Sequence, residues 1–252
     1  MKVRDLPIVG EISNGNMDFY GNFTDLRGKN VLCIGFSETE VDAYVVKYGP
    51  SRITALTNWA GHEDAQVKKF PLVIGDITSR TQFDDNSFDV ILTLSVLEHL
   101  GNLRGAFDEM TRIVRSGGEM LHMFGPAWSC AYGHHMYENP RDPLLNFSLW
   151  KTPAHMHLLC GQEEIVNYYV EMGYPESVGH AAIHWFYEAP IINRVFYDDY
   201  MDLFEEDRFQ IDRTEIMYNE LPRHHIRSLR SAYPGRRNFS AYGGKYKLIV
   251  RK

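Results

Sequence analysis

Short apolar runs alternate with helical patterns between Lys29 and Pro126. The runs are rich in Val, Ile and Leu, as in strands that are buried on both faces. They predict strands at 31–36, 52–58, 70–76, 87–95 and 119–124. Helical spacing predicts helices at 38–48, in the 60s and at 103–114. Because strands and helices alternate, we expect an α/β fold with a parallel sheet and helices on both faces.

The first helix has a capping signal at its start. Ser37 follows the first apolar run, and Glu40 stands three residues later. A serine and a glutamate at this spacing can bond to each other's backbone N–H groups in a capping box. We therefore expect this helix to begin at Glu38, directly after the first strand.

The alternation ends after Phe124. Residues 125–160 contain four prolines, four of the eleven histidines, and both Trp128 and Trp150. So long a loop is usually functional or disordered, and its aromatic content argues against disorder. Beyond it, periodicity predicts helices at 161–174 and 192–206, a basic helix from Pro222, and strands at 208–218 and 245–251.

Charge is distributed unevenly along the chain. The net charge of −7 argues against a nucleic-acid-binding protein. Residues 188–220 are strongly acidic, whereas residues 221–252 are basic throughout. The basic segment could bind a phosphorylated or nucleotide-linked acceptor, or it could face the acidic segment. Its candidate anion ligands are Arg223, Arg227, Arg230, Arg236 and Arg237.

Cysteine usage and hydropathy indicate the compartment. Cys33, Cys130 and Cys160 have neither paired nor metal-binding spacing, which is typical of free thiols in a reducing cytosol. No apolar run approaches the roughly 18 residues that a membrane span needs, and the N-terminus lacks the apolar core of a signal peptide. We expect a cytoplasmic protein that does not contact membranes; the sequence leaves its oligomeric state open.

The ends of the predicted strands indicate the kind of ligand. The loop after the first strand has one glycine, Gly35, where NAD- and FAD-binding proteins need three. This counts against a dinucleotide. A single glycine before a capped helix still allows the backbone to approach a smaller ligand, such as a nucleoside with a charged tail.

Residues 28–125 resemble the class I S-adenosylmethionine-dependent methyltransferases. The resemblance rests on VLCIGFSET, on GDITS after the third strand, on MTRIVRSGGEMLHMF, and most specifically on SFDVILTLSVLEHL. It implies a Rossmann-like sandwich whose mostly parallel seven-stranded sheet has an antiparallel last strand. The whole chain, 1–252, would be one domain, with 28–125 as its cofactor-binding half and 126–160 and about 184–207 as a substrate lid.

The resemblance also implies which residues bind S-adenosylmethionine, leaving S-adenosylhomocysteine as product. Gly35 would lie against the methionine moiety, and Asp76 would accept a hydrogen bond from the adenine amino group. The full set of implied contacts is Gly35, Phe36, Ser37, Thr57, Asn58, Asp76, Ile77, Leu94 and Ser95. The chain departs from the family pattern at Thr57 and Asn58, where a ribose-binding carboxylate is usual, and in its loop with a single glycine.

The long loop provides candidates for catalysis. Its GHH and P-x-H-x-H-L-L segments are similar to a subset of saccharide and small-molecule methyltransferases from polysaccharide and natural-product clusters. An alcohol that accepts a methyl group must lose its proton, and histidine titrates near neutrality. We expect His135 to be the base, with His134 and His157 as positioning residues, although the two adjacent histidines could exchange roles. The candidate acceptor-binding residues are Trp128, Tyr132, Tyr137, Trp150 and His99.

Two alternatives remain open. Two histidines with Asp142 or Glu138 could bind a divalent metal, but the spacing matches no metal signature, so we expect none. The weak ribose contacts also suit an inactive binding or interaction module with this fold. We expect an S-adenosylmethionine-dependent O-methyltransferase that acts on a small-molecule hydroxyl, such as that of a saccharide.

Overall fold

The structure is a computed structural model that describes residues 1–10, 19–58 and 69–252. The strands are β1 (Asn30–Ile34), β2 (Arg52–Thr57), β3 (Leu72–Ile74), β4 (Phe88–Leu94), β5 (Val114–Phe124), β6 (Phe209–Tyr218) and β7 (Ala241–Val250). The α-helices are α1 (Phe19–Phe23), α2 (Glu38–Tyr44), α3 (Leu103–Ile113), α4 (Met156–Leu159), α5 (Gln162–Glu171), α6 (Glu176–Ile183), α7 (Tyr197–Phe204) and α8 (Arg223–Ala232). A π-helical turn, His184–Glu188, follows α6. No helix within the described ranges has both the length and the apolar character needed to cross a membrane.

The seven strands form one mixed sheet in the order β3-β2-β1-β4-β5-β7-β6. Six strands are parallel, and β7 runs antiparallel to its neighbour β5. The predicted fold class is confirmed, including the antiparallel last strand. Because β1 to β4 are parallel neighbours, the loops that follow them emerge at one edge of the sheet.

Contacts divide the chain into two compact units. The sheet unit comprises the described parts of Asn14–Phe124, Met201–Glu215 and Gly244–Lys252. The histidine-rich unit comprises the described parts of Met1–Ser13, Gly125–Tyr200 and Ile216–Gly243. The expectation of one domain with a lid stays a prediction.

Burial explains why the strands of the sheet unit form where they do. All of Val31 to Ile34 in β1 are buried, and so is every residue of β4 except Asp89. On one face, the strands contribute Val31, Cys33 and Val90 to a core that is closed by Phe19 and Tyr20 of α1. Continuous apolar runs are therefore the sequence signal of strands covered on both faces.

Some predicted elements differ from those observed. The helix expected at 192–206 begins only at Tyr197, because Arg194 has a positive φ of 54°, which a right-handed helix cannot accommodate. α6 and the π-helical turn were not predicted. Gly243 and Gly244 lie inside β7 rather than before it. The helix predicted in the 60s lies outside the described residues.

Candidate active site

A crevice lies at the carboxyl ends of β1 and β2 in the sheet unit. Five of the predicted cofactor-binding residues line it: Gly35, Thr57, Asn58, Asp76 and Ile77. The remaining lining residues are Ile34, Leu56, Gly75, Val96 and Leu100. Val96 and Leu100 were missed as contacts, although both lie in the SFDVILTLSVLEHL segment that indicated the family.

Gly35 brings the backbone close to neighbouring atoms of the crevice. Its φ is 81°, a conformation that glycine adopts without steric cost. A Cβ at this position would lie 2.1 Å from Val96 Cγ2 and 2.7 Å from the Leu94 carbonyl oxygen. A larger residue is therefore excluded here, as expected where a backbone approaches a ligand.

Asp76 has one carboxylate oxygen to offer a ligand. Its Oδ1 accepts a hydrogen bond from the Thr78 N–H at 2.8 Å, which fixes the side chain. Among the described residues, none donates to Oδ2. The Gly75 N–H donates to the Thr57 carbonyl at 2.8 Å and so joins the ends of β3 and β2. Beside Asp76, the side chain of Ile77 is buried and apolar. An acceptor next to an apolar surface suits an adenine ring with its amino group.

The other four predicted cofactor residues lie at this edge of the sheet but do not line the crevice. The Phe36 ring packs 5.4 Å from the Tyr20 ring. Ser37 caps α2 in the predicted capping box with Glu40. Leu94 is buried at the end of β4. Ser95 has a positive φ of 49°, and its N–H donates to the Met123 carbonyl.

His99 is the remaining predicted acceptor-binding residue in the sheet unit. It ends a short 3₁₀ turn, Leu97–His99, and its side chain is exposed. A role for it in binding the acceptor stays a prediction.

The histidine-rich unit buries a group of histidines whose hydrogen bonds fix their tautomers. His155 Nε2 lies 3.0 Å from the Phe239 carbonyl oxygen, so this nitrogen is the donor. Its Nδ1 must then accept from His225 Nε2, also at 3.0 Å. His157 Nε2 likewise donates to the Trp128 carbonyl at 2.8 Å. Both rings therefore keep Nδ1 as the unprotonated nitrogen.

His134 and His135 lie in the same unit with opposite hydrogen-bond roles. His134 Nδ1 accepts from the Met136 N–H at 3.1 Å, so Nε2 is the protonated nitrogen. His135 Nδ1 lies 2.9 Å from the Gly133 carbonyl and donates to it, so Nε2 is the basic nitrogen. The rings of His134 and His157 are 5.3 Å apart. The structure thus brings His134 and His157 together in a buried cluster.

Burial keeps most of these imidazoles neutral. It lowers the pKa of His157 to about 4, and a bond to the Trp128 carbonyl only partly opposes this. The pKa of His225 is lowered to about 4, first by burial and then by His224. For His134 and His155, burial and neighbouring histidines hold the pKa well below its usual range. His225 was not among the predicted site residues. Its only signal in the sequence is the pair of adjacent histidines in the basic helix.

The predicted acceptor-binding aromatics have different surroundings. Trp128 packs edge-on against His157 with ring centroids 4.4 Å apart. Tyr132 is fully buried, and its hydroxyl donates to the Val9 carbonyl. Trp150 is half-buried and packs on Tyr132 at 5.1 Å. Tyr137, in contrast, has 48% of its surface exposed.

The carboxylates considered for a metal have other partners. Asp142 accepts hydrogen bonds from the Tyr174 hydroxyl and the Leu144 N–H. Glu138 accepts from the Trp185 indole at 2.8 Å. Neither carboxylate has a hydrogen bond or ion pair with a histidine among the described residues.

Part of the basic segment faces the acidic one. Arg236 forms an ion pair with Asp199, and the Arg237 guanidinium lies 4.0 Å from the Asp198 carboxylate. Three other candidate anion ligands, Arg223, Arg227 and Arg230, are exposed on α8. Internal neutralisation, the alternative left open above, thus accounts for two of the five arginines.

Comparison with known proteins supports the fold, and part of the chain matches a known family. Residues 27–122 match the family described as a methyltransferase domain. The S-adenosylmethionine-dependent methyltransferase from Mesorhizobium loti superposes with a TM-score of 0.54 at 9% identity, covering 94% of this chain and 99% of that one. A protein from Methanosarcina mazei, also described as an S-adenosylmethionine-dependent methyltransferase, has a TM-score of 0.51 at 14% identity and covers 92% and 97%. No curated protein matches the chain in sequence.

Proposed function

Because residues 27–122 match the methyltransferase domain and the cofactor of this class is S-adenosylmethionine, we propose that the protein methylates a hydroxyl group of a small molecule, such as a saccharide. The observation that supports this proposal most directly is the orientation of His135. Its Nδ1–H is held by the Gly133 carbonyl, and its side chain keeps Nε2 as a proton acceptor.

The residues of the crevice fit the cofactor. Asp76 Oδ2 would accept from the adenine amino group, and Ile77 would pack beside the ring. Gly35, whose missing Cβ lets its loop pack closely on Val96 and Leu94, would lie against the methionine moiety. Thr57 and Asn58 would hold the ribose hydroxyls with neutral hydrogen bonds, which are weaker than bonds to a carboxylate.

The chain's own chemical task is to remove one proton. When bound, S-adenosylmethionine would supply the methyl group from its sulfonium sulfur, and S-adenosylhomocysteine would be the leaving group. His135 Nε2 accepts the proton of the hydroxyl group, and the imidazolium then releases that proton to solvent. Much of the remaining rate enhancement comes from positioning the acceptor.

His134 and His157 suit positioning rather than proton transfer. The pKa of His157 is about 4, and that of His134 lies well below its usual range, both because of burial. An imidazole with so low a pKa is a weak base near neutral pH. His134 Nε2–H can instead donate a hydrogen bond, and His157 Nδ1 can accept one. Neither nitrogen has a partner among the described residues.

Trp150 is half-buried, and Trp128 is buried beside His157, so the histidine-rich unit offers an acceptor a flat apolar surface. Trp128 and Trp150 would stack on a sugar or an aromatic ring and exclude water. The exposed arginines of α8 leave the prediction of a phosphorylated acceptor in place.

The proposal is tested with purified protein, S-adenosylmethionine and a panel of saccharides, by mass spectrometry of O-methylated products and of S-adenosylhomocysteine. We expect His135→Ala to lower turnover by roughly 10²–10⁴-fold, while cofactor affinity measured by calorimetry stays unchanged. His180→Ala is the matched control, because His180 lies in the same unit and is exposed. Full turnover in the His135 variant, or methylation at nitrogen or carbon alone, would overturn the proposal.

A further inference from the structure

Arg194 is a half-buried cation for which the described residues provide no counterion. Its Nε donates to the Phe186 carbonyl at 2.9 Å and its Nη2 to the Ala189 carbonyl at 3.0 Å, while Nη1 reaches the Ile192 carbonyl at 3.5 Å. A guanidinium has five N–H donors. One N–H on each terminal nitrogen is therefore still available. Among the described residues, no carboxylate lies within ion-pair distance of Arg194.

The acidic residues nearest in sequence are bound to other groups. Asp198 accepts from the backbone N–H groups of Arg237 and Asn238. Asp199 pairs with Arg236. Glu188 lies 3.1 Å from His184 Nδ1. Within the described ranges, the positive charge of Arg194 is therefore compensated by carbonyl dipoles alone, although acidic side chains are close along the chain.

The backbone holds Arg194 in a strained conformation. Its φ is 54°, which is uncommon for a residue with a Cβ and is found disproportionately often at functional sites. The residues on both sides are fixed, since Asn193 Oδ1 accepts from the Tyr200 hydroxyl and from the Val195 N–H, both at 3.1 Å. The orientation of the guanidinium is thus fixed before any ligand arrives.

Trp128 connects Arg194 with the histidine cluster. The Arg194 guanidinium carbon lies 5.8 Å from the centre of the Trp128 ring. That ring contacts His157, and the Trp128 N–H donates to the Val195 carbonyl at 3.1 Å. The guanidinium of Arg194 therefore lies next to the aromatic ring that borders the histidine cluster.

We propose that Arg194 binds an oxyanion of the methyl acceptor, either a carboxylate or a phosphate. The acceptor is then an anionic saccharide or a similar hydroxyl compound. The inference rests on the proposed function, because it assumes that the protein has a methyl acceptor. Two available N–H groups match the two oxygens that a carboxylate or phosphate offers to a guanidinium. The anion would supply the negative charge that the described part of the chain does not place beside Arg194.

The proposal is tested by calorimetric titration of the full-length protein with three probes: glucose, glucuronate and glucose 6-phosphate. We expect the better of the two anionic probes to bind at least tenfold more tightly than glucose, with a dissociation constant that rises with salt. Glucuronate distinguishes a carboxylate from the phosphate of glucose 6-phosphate. The preference should disappear in Arg194→Met and persist in Arg141→Met, which removes an exposed arginine of the same unit.

Folding is checked separately, because Arg194 also bonds to three carbonyls. Arg194→Lys keeps the charge but loses the planar donor pair, and we expect it to reduce the anion preference three- to tenfold. The melting temperature of each Arg194 variant, measured in parallel, shows that the protein is folded under the titration conditions. Equal probe affinities in wild type, or an unchanged preference in either Arg194 variant, would overturn the proposal. Anion binding at Arg194 without methylation of any hydroxyl would contradict the proposed function alone.

Discussion

Asp76 shows how one side chain can serve both the loop and a ligand. Its Oδ1 fixes the turn by accepting from the Thr78 N–H, whereas Oδ2 is open to a donor. An asparagine could keep the first bond, but its amide nitrogen would then face the ligand's amino group. Structural and binding roles can therefore be separated by a single substitution.

We expect Asp76→Asn to weaken binding of S-adenosylmethionine by about 1.5–3 kcal/mol, since a charge-assisted hydrogen bond is lost. By the relation between free energy and dissociation constant, this is roughly a 10- to 100-fold loss of affinity. Isothermal titration calorimetry measures it, and Asp84→Ala provides an exposed acidic control on the same unit. Unchanged affinity in Asp76→Asn would mean that the adenine does not lie beside Asp76.

At the level of elements, helix α2 depends on Ser37, the residue that caps its N-terminus. Ser37 Oγ accepts from the Glu40 N–H at 3.3 Å, and the Glu40 carboxylate accepts from the Ser37 N–H at 2.8 Å. The two bonds satisfy backbone donors that have no partner within the helix. The helix has only seven residues, so its ends account for much of its hydrogen bonding.

We expect Ser37→Ala to lower the free energy of unfolding by about 1 kcal/mol, the usual loss at an N-cap. Urea denaturation measures the change. Ser228→Ala is the control, because Ser228 lies inside α8, where alanine is the better helix former. A destabilisation of equal size in both variants would show that the cap of α2 contributes nothing specific.

The same elements show what the sequence could predict and what it could not. β1 and β4 were predictable because their residues are buried on both faces, which requires apolar runs. α6 was not, because Gly179 interrupts its helical pattern. In the structure this glycine allows α6 to pack on α5, where a Cβ would lie 2.7 Å from Val166 Cα. The late start of α7 depends on one backbone angle, at Arg194.

The candidate site divides in the same way. Residues of the crevice follow directly from strand ends, because parallel strands bring their carboxyl ends to one edge. The hydrogen bond between His155 and His225 joins residues 70 positions apart. Local patterns contain no information on such a pair, so the sequence indicated that histidines cluster but not which nitrogens they use.

On the scale of the whole molecule, buried histidines make stability depend on pH. Burial lowers the pKa of His157 and of His225 to about 4 and that of His122 to about 3, and holds that of His134 and His155 well below its usual range. An unfolded histidine takes up a proton near pH 6.5. As pH falls below 6.5, protons therefore bind the unfolded chain first, and the folded state loses stability.

We expect the free energy of unfolding to fall steeply between pH 7.5 and pH 5. At pH 5, protonation stabilises an unfolded histidine by about 2 kcal/mol, whereas a buried histidine with a pKa near 4 gains almost none of this. The two residues His157 and His225 therefore lower the free energy of unfolding by about 4 kcal/mol. Carboxylates with lowered pKa values, such as Glu109 at about 2, lose their contribution only below pH 4.5, outside this window. Urea denaturation at a series of pH values measures the slope. His157→Gln should flatten it, whereas His180→Ala, at an exposed position, should leave it unchanged. A free energy of unfolding constant to within about 1 kcal/mol from pH 7.5 to pH 5 would mean that these imidazoles are not buried in the neutral form.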